Sequence, residues 1–287
     1  MKIAPFRFAA ALALPVMFAA CSGSDAGDAD KASEAVAVAQ PRELLITARD
    51  YTFEAADTVE AGVTSIRLRN EGRELHHVAL LRFEEGKTME DLGAAMAAGA
   101  TSLPDWAVEV GGPNAPNGAG ESSAILDLKP GYYQIVCFIP SPDGQMHLMK
   151  GMAKQLIVTP STAPSAPLPT ADIVMTLDDY TFTENAPLTA GRHTIRIENR
   201  ATQAHEVLFI RLEPGKTGMD VAQWIEKMEG PPPGAIVGGI TGIDQGEVNV
   251  LTVDLTAGDY ALLCFLPDAK DGKPHVVHGM ARDFKVS

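Results

Sequence analysis

Basic residues are scarce in this chain, and so are cysteines. Only 23 Lys and Arg stand against 37 Asp and Glu, a formal charge of −14 over 287 residues. A surface so short of positive charge disfavours nucleic acid, whose phosphates call for basic patches. There is no phosphate-binding glycine loop, no local Ser/His/Asp signature and no paired-carboxylate motif. No His-x-His pair occurs among the seven histidines. The longest apolar run near the N-terminus, residues 8–20, is too short to span a bilayer comfortably.

That run follows Lys2 and Arg7, the layout of an export signal. It ends Phe18-Ala19-Ala20-Cys21, which resembles a bacterial lipoprotein cleavage box with Cys21 as the lipidated first residue. An ordinary signal peptide cut after an Ala-x-Ala-like run is the alternative; either implies export. Removing Lys2 and Arg7 leaves 21 basic against 37 acidic residues, so the mature charge is near −16. An acidic surface steers a basic partner such as a cytochrome c, or simply keeps the protein soluble. With Cys21 carrying lipid, only Cys137 and Cys264 remain in an oxidising compartment, as free thiols or as one disulfide.

The chain then repeats itself. Asp50-Tyr51-Thr52-Phe53 recurs as Asp179-Tyr180-Thr181-Phe182, and His76 as His205, both at an offset of 129. Gly131-x-Tyr133 with Cys137 recurs as Gly258-x-Tyr260 with Cys264 at 127. His147, Gly151 and Met152 recur as His275, Gly279 and Met280 at 128. This is a duplicated unit. The expected layout is a signal peptide at 1–20, a polar tether at 21–42, one domain at 43–158, a Pro-rich linker at 159–170 and a second domain at 171–287. Matched positions in separate repeats argue against a Cys137–Cys264 bridge.

Within each repeat, residues 65–69 and 194–198 alternate apolar and polar, the mark of a half-buried strand. Thr88-Met89-Glu90-Asp91 and Thr217-Gly218-Met219-Asp220 read as capping boxes opening one short helix per repeat. Gly/Pro-rich stretches follow each helix and are expected to lie beside the sandwich or over its end. The fold expected is all-β: two tandem Greek-key β-sandwich domains, each with a short helical insertion.

Thiolate, imidazole and thioether gathered at a strand end form a soft donor set that suits copper better than a hard cation. Cys264, His275 and Met280 are such a set, and His205 is the candidate second imidazole. Each residue also has a bland reading, as a packed thiol, a structural imidazole or a core thioether. Recurrence of the whole set in the duplicate weighs against coincidence.

These residues carry a family resemblance. Asn70…His76-His77-Val78, Gly131-x-Tyr133-x3-Cys137 and His147-x4-Met152, with their counterparts in the second half, resemble the ligand segments of cupredoxins, the plastocyanin and azurin group. The resemblance implies one type 1 copper site per domain: His76, Cys137, His147 and Met152 in the first, and His205, Cys264, His275 and Met280 in the second. It implies an electron carrier, which the lipoprotein-like box at Cys21 would anchor to a membrane, facing the periplasm or the cell exterior. The alternative is copper storage and delivery, or a metal-free binding module. Multicopper oxidases and copper nitrite reductases resemble paired cupredoxin domains but place histidine beside the cysteine. Here Val136 and Phe138 flank Cys137, and Leu263 and Phe265 flank Cys264, so the expectation is that the chain is not an enzyme. One departure from the family stands out: nine and ten residues separate cysteine from second histidine, so these loops must fold out and return. Pro140, Gly144, Pro267 and Gly272 offer the turn chemistry. His77 and His193 are read as non-ligands.

Overall fold

The computed structural model describes residues 39–287, save 101, 117 and 228. The signal segment, Cys21 and the tether up to residue 38 lie outside the described residues. Among the described residues, no helix is long and apolar enough to cross a membrane.

The first repeat runs β1 (Arg42–Arg49), β2 (Thr52–Glu54), β3 (Thr58–Glu60), β4 (Gly62–Asn70), β5 (Ala79–Phe83), helix α1 (Met89–Ala97), β6 (Ala107–Gly111), β7 (Glu121–Leu128), β8 (Gly131–Val136) and β9 (Ala153–Thr159). The second runs β10 (Ile173–Asp178), β11 (Thr181–Glu184), β12 (Gly191–Asn199), β13 (His205–Leu212), helix α2 (Gly218–Lys227), β14 (Gly234–Ile243), β15 (Val248–Leu255), β16 (Gly258–Leu263) and β17 (Ala281–Val286). The all-β expectation with one short helix per repeat is met. In the first repeat Thr88 accepts from the Asp91 N–H while the Asp91 carboxylate accepts from the Thr88 N–H. Thr217 and Asp220 do the same in the second. Each reciprocal pair satisfies two amides that the first helical turn would leave orphaned.

Alternation on β4 and β12 buries Ile66 and Leu68, and Ile195 and Ile197, against the facing sheet. Two apolar clusters result, one per repeat, and each includes its own cysteine and methionine. The helices cover the outer faces. Leu92 of α1 packs on Leu81 and Phe83, and Val221 of α2 on Leu208 and Ile210.

Both sheets cross from one repeat to the other. One runs β11-β10-β12-β15-β7-β4-β1-β2, the other β17-β16-β13-β14-β6-β5-β8-β9-β3. β7 pairs antiparallel with its own duplicate, β15, and β6 with β14, the self-complementary joint that an internal two-fold produces. Strand edges that would otherwise template aggregation cover one another. The Gly/Pro-rich stretch after β6 is therefore part of the joint. The Val78 N–H donates to Pro113 O at 3.1 Å and the Asn114 N–H to Gly239 O at 3.1 Å. Residues 39–287 fall within one compact unit. We keep 43–158 and 171–287 as the proposed repeat boundaries, but separating the two repeats would bare four strands that pair across the joint.

Acidic side chains are buried at this joint. Burial pushes the Glu109 carboxyl up to about 8, with Asp244 and Glu206 nearby adding to it. The Asp244 carboxylate accepts from the Glu109 N–H at 2.8 Å. A carboxyl raised in the folded state contributes stability below its ordinary value and loses it as pH rises toward the folded value. The protein should therefore lose up to about 1.4 kcal/mol per pH unit from Glu109 alone between roughly pH 5 and 8. Thermal unfolding across that range checks this. Glu109→Gln should flatten the decline, and a variant that follows the same curve as the parent would contradict the assignment.

Candidate metal centres

Each site stands at one end of its sandwich, where β8 or β16 stops. The strand is anchored by its tyrosine, whose ring is buried and whose hydroxyl reaches back four residues. Tyr133 donates to Lys129 O at 2.8 Å and Tyr260 to Thr256 O at 2.9 Å. This is the tyrosine-corner device of Greek-key sandwiches, and it accounts for the tyrosine four positions before each cysteine. Cys137 and Cys264 follow the strand ends and are free thiols with no solvent exposure.

The long loops return as expected. Pro140 bridges to Met146 and Pro267 to Pro274, so each loop closes as a small hairpin. Gly144 and Gly272 take positive φ, 82° and 71°, at its tip. The His147 N–H donates to Ile139 O and the Leu148 N–H to Cys137 O, both at 2.9 Å; His275 and Val276 repeat this on Leu266 and Cys264. Each second histidine opens a single 3₁₀ turn, at 147–150 and 275–278. Left-handed Gly151 and Gly279 end those turns and send the chain into Met152 and Met280, both fully buried.

The sequence-predicted imidazoles and thiols converge. In the first repeat the His76 and His147 Nδ1 atoms are 3.0 Å apart and Cys137 Sγ is 3.4 Å from His147 Nδ1. In the second, His205 and His275 Nδ1 atoms are 3.0 Å apart and Cys264 Sγ is 3.3 Å from His275 Nδ1. Within each triad the three ligand atoms lie within 4.8 Å of one another. Met152 and Met280 belong to the same cores, and their amides donate to His147 O and His275 O at 3.0 Å.

Carboxylates hold the far side of the rings. His76 Nε2 meets Asp50 Oδ1 at 2.9 Å, and His147 Nε2 meets Glu74 Oε2 at 2.8 Å. His205 Nε2 meets Asp179 Oδ1 at 3.2 Å. Burial lowers the His76 and His205 pKa values, favouring neutral rings. A neutral ring that donates through Nε2 to a carboxylate presents a bare lone pair at Nδ1. In the first repeat both rings meet a carboxylate through Nε2, which turns both Nδ1 atoms inward beside a sulfur. Two imidazole nitrogens and a cysteine sulfur directed at one point are a donor set for a metal ion once the thiol gives up its proton. Against burial, which works the other way, the His76 bond and the Arg73 and Glu74 amides hold Asp50 below the usual carboxylate range.

The sequence reading missed these carboxylate partners. Their signal was present in the duplicated Asp-Tyr-Thr-Phe motif. Its aspartate meets the first histidine, while its tyrosine donates to a second carboxylate, Tyr51 to Glu74 at 2.8 Å and Tyr180 to Asp268 at 2.5 Å. His77 is no ligand, as expected: its Nε2 accepts from the Phe138 N–H at 2.9 Å. Its counterpart Glu206 accepts from the Phe265 N–H at 2.9 Å, and Asn114 donates to Glu206 at 3.2 Å across the joint. His193 lies away from both sites, paired with Asp172.

No family model matches the sequence, and no curated protein matches it. Solved structures align with it. Auracyanin A, a blue copper protein of Chloroflexus aurantiacus, is 20% identical over 42% of this chain and all of its own, with a TM-score of 0.30. A copper-containing nitrite reductase of Thermus scotoductus is 12% identical over 86% of this chain and 62% of its own, with a TM-score of 0.25. The blue copper oxidase of Nitrosomonas europaea is 14% identical over 86% of both chains, with a TM-score of 0.24. The expectation that the chain is not an enzyme is corrected here. A copper-containing nitrite reductase and a blue copper oxidase each align over 86% of the chain.

Burial pushes the Cys137 thiol up to about 12 and the Cys264 thiol well above its ordinary value. Without metal both should stay protonated and inert to an aromatic disulfide reagent at pH 8, and unfolding in guanidinium should expose two reactive thiols besides Cys21. Rapid labelling of either in the folded protein would contradict their placement.

Proposed function

We propose that the protein is an exported copper-binding protein that carries electrons, with one site in each repeat. The observation that carries this reading is the convergence of two imidazole Nδ1 atoms and a cysteine sulfur in each half, with all three residues fully buried. The donors fit the metal. A thiolate and two imidazoles select a soft or borderline ion, and a buried thioether from Met152 or Met280 would complete the set that copper favours. His76, Cys137 and His147 would hold one ion, and His205, Cys264 and His275 the other. Copper so held supplies one-electron exchange between two oxidation states.

The protein's own part is to keep the ligands still. Asp50, Glu74 and Asp179 fix imidazole tautomers and ring directions. Tyr133 and Tyr260 anchor the strands that deliver sulfur, and the closed hairpins return the second histidines. A rigid ligand set exchanges an electron with little rearrangement. The acidic surface suits a basic redox partner such as a cytochrome c, and Cys21 would tether the protein to the membrane by lipid.

A second reading, copper storage or delivery, draws on Met146 and Met149. Both thioethers are exposed on the first hairpin and its 3₁₀ turn, Met149 by 74%, where they could pass Cu(I) to the site. In the second repeat Pro274 and Val277 stand in their places.

Adding Cu(II) to the purified protein discriminates. The carrier reading expects an intense visible thiolate-to-copper band that bleaches and returns on reversible reduction. Absence of the band with tight Cu(I) uptake would favour delivery, and no copper uptake in either state would remove the metal reading.

A further inference from the structure

We infer that the two copper sets are unequal, and that Glu74 makes the first the tighter for Cu(II) and the lower in potential. This rests on the copper reading above and concerns residues that touch the ligands without being ligands.

The two repeats solve one problem differently. Glu74 corresponds to Gln203 at the offset of 129, and Ser141 to Asp268 at 127. The carboxylate beside the second histidine has thus moved from the segment before the first histidine to the cysteine–histidine hairpin. In each repeat the motif tyrosine donates to it. Only in the first does the carboxylate also reach the imidazole: His147 Nε2 is 2.8 Å from Glu74 Oε2, whereas His275 Nε2 is 3.9 Å from Asp268 Oδ2. The longer separation is no hydrogen bond. Gln203 does not substitute, because its oxygen accepts from the Ala269 N–H at 3.1 Å while its amide nitrogen donates to Asp179 and Asp268. His275 Nε2 is buried with no hydrogen-bond partner.

Three consequences favour the first set. His147 is held in the tautomer that offers Nδ1 to a metal, whereas His275 is free to carry its proton on Nδ1 and donate it to His205, 3.0 Å away. His275 Nδ1 would have to give up that proton before it could hold a metal, and the ring's other nitrogen is buried with no acceptor. Ring direction is pinned at both ends for His147 and at one for His275. Finally, a carboxylate on the far nitrogen raises imidazole basicity, which stabilises Cu(II) over Cu(I). Losing such a partner typically costs 10- to 100-fold in metal affinity. Each tenfold gain in preference for Cu(II) lowers a one-electron potential by about 59 mV. The second set is therefore the stronger oxidant, and an electron held by the protein rests there.

Titrating the full chain with Cu(II) against a competing chelator, while following the thiolate band and then its potential, tests this. Cys137→Ser and Cys264→Ser assign each step to one set. The first set should fill at a Kd roughly 10- to 100-fold below that of the second and reduce at a lower potential. Glu74→Gln should erase both differences while the metal-free protein melts near the parent's temperature. The exchange Gln203→Glu with Asp268→Ser places the first repeat's pair in the second and should tighten that set; it carries the test if Glu74→Gln does not fold. Equal affinities and potentials, unmoved by either variant, would overturn the inference and leave the copper reading standing. A chain with no thiolate band from either set would overturn both.

Discussion

Two imidazole nitrogens and a cysteine sulfur, buried and held face to face, are the constraint on which this structure turns. Lone pairs at 3.0 Å repel unless a proton or a cation lies between them. The Asp50, Glu74 and Asp179 carboxylates draw protons to the outer nitrogens and so sharpen the demand. Burial works in the same direction, because water is kept from the inner nitrogens. The first repeat answers with two carboxylates and the second with one, which leaves the second able to keep a proton where the metal would sit.

The sandwich supplies what such a cluster needs, ligands from elements that cannot move independently. The first histidine enters on one strand or just before it, and the cysteine leaves the adjacent strand. The second histidine and the methionine follow a hairpin and one 3₁₀ turn. The joint between repeats passes close behind. Residues directly after the first histidines, His77 and Glu206, receive the amides directly after the cysteines, and Asn114 of the first repeat bonds Glu206 of the second. A joint made of main-chain pairing and buried polar contacts makes one body of the duplicated units, so both clusters share one scaffold.

Much of this was legible in the residues. Strand alternation at 65–69 and 194–198, the two capping boxes and the recurring ligand positions each correspond to a local rule, and local rules survive in one dimension. The hairpins closed despite their length because closure entropy grows slowly with loop size and turn residues stood at the right places. What escaped notice was long-range polar pairing. Asp50 lies 26 residues from His76 and Glu74 lies 73 from His147, so no spacing rule links them. The carboxylate exchange between Glu74 and Asp268 could be suspected from the duplicate alignment, but only distances show that one reaches its histidine and the other does not. The non-enzyme expectation failed for a different reason. It relied on a missing residue beside the cysteine, and an absence at one position says little about a whole paired architecture.

The most direct test of the account is copper K-edge X-ray absorption on the chain loaded with two equivalents of Cu(II). It predicts, on average, one sulfur and two imidazole nitrogens per copper, at distances near the roughly 2.0–2.3 Å typical of zinc thiolate and imidazole sites. A spectrum with only nitrogen and oxygen neighbours and no sulfur would contradict it.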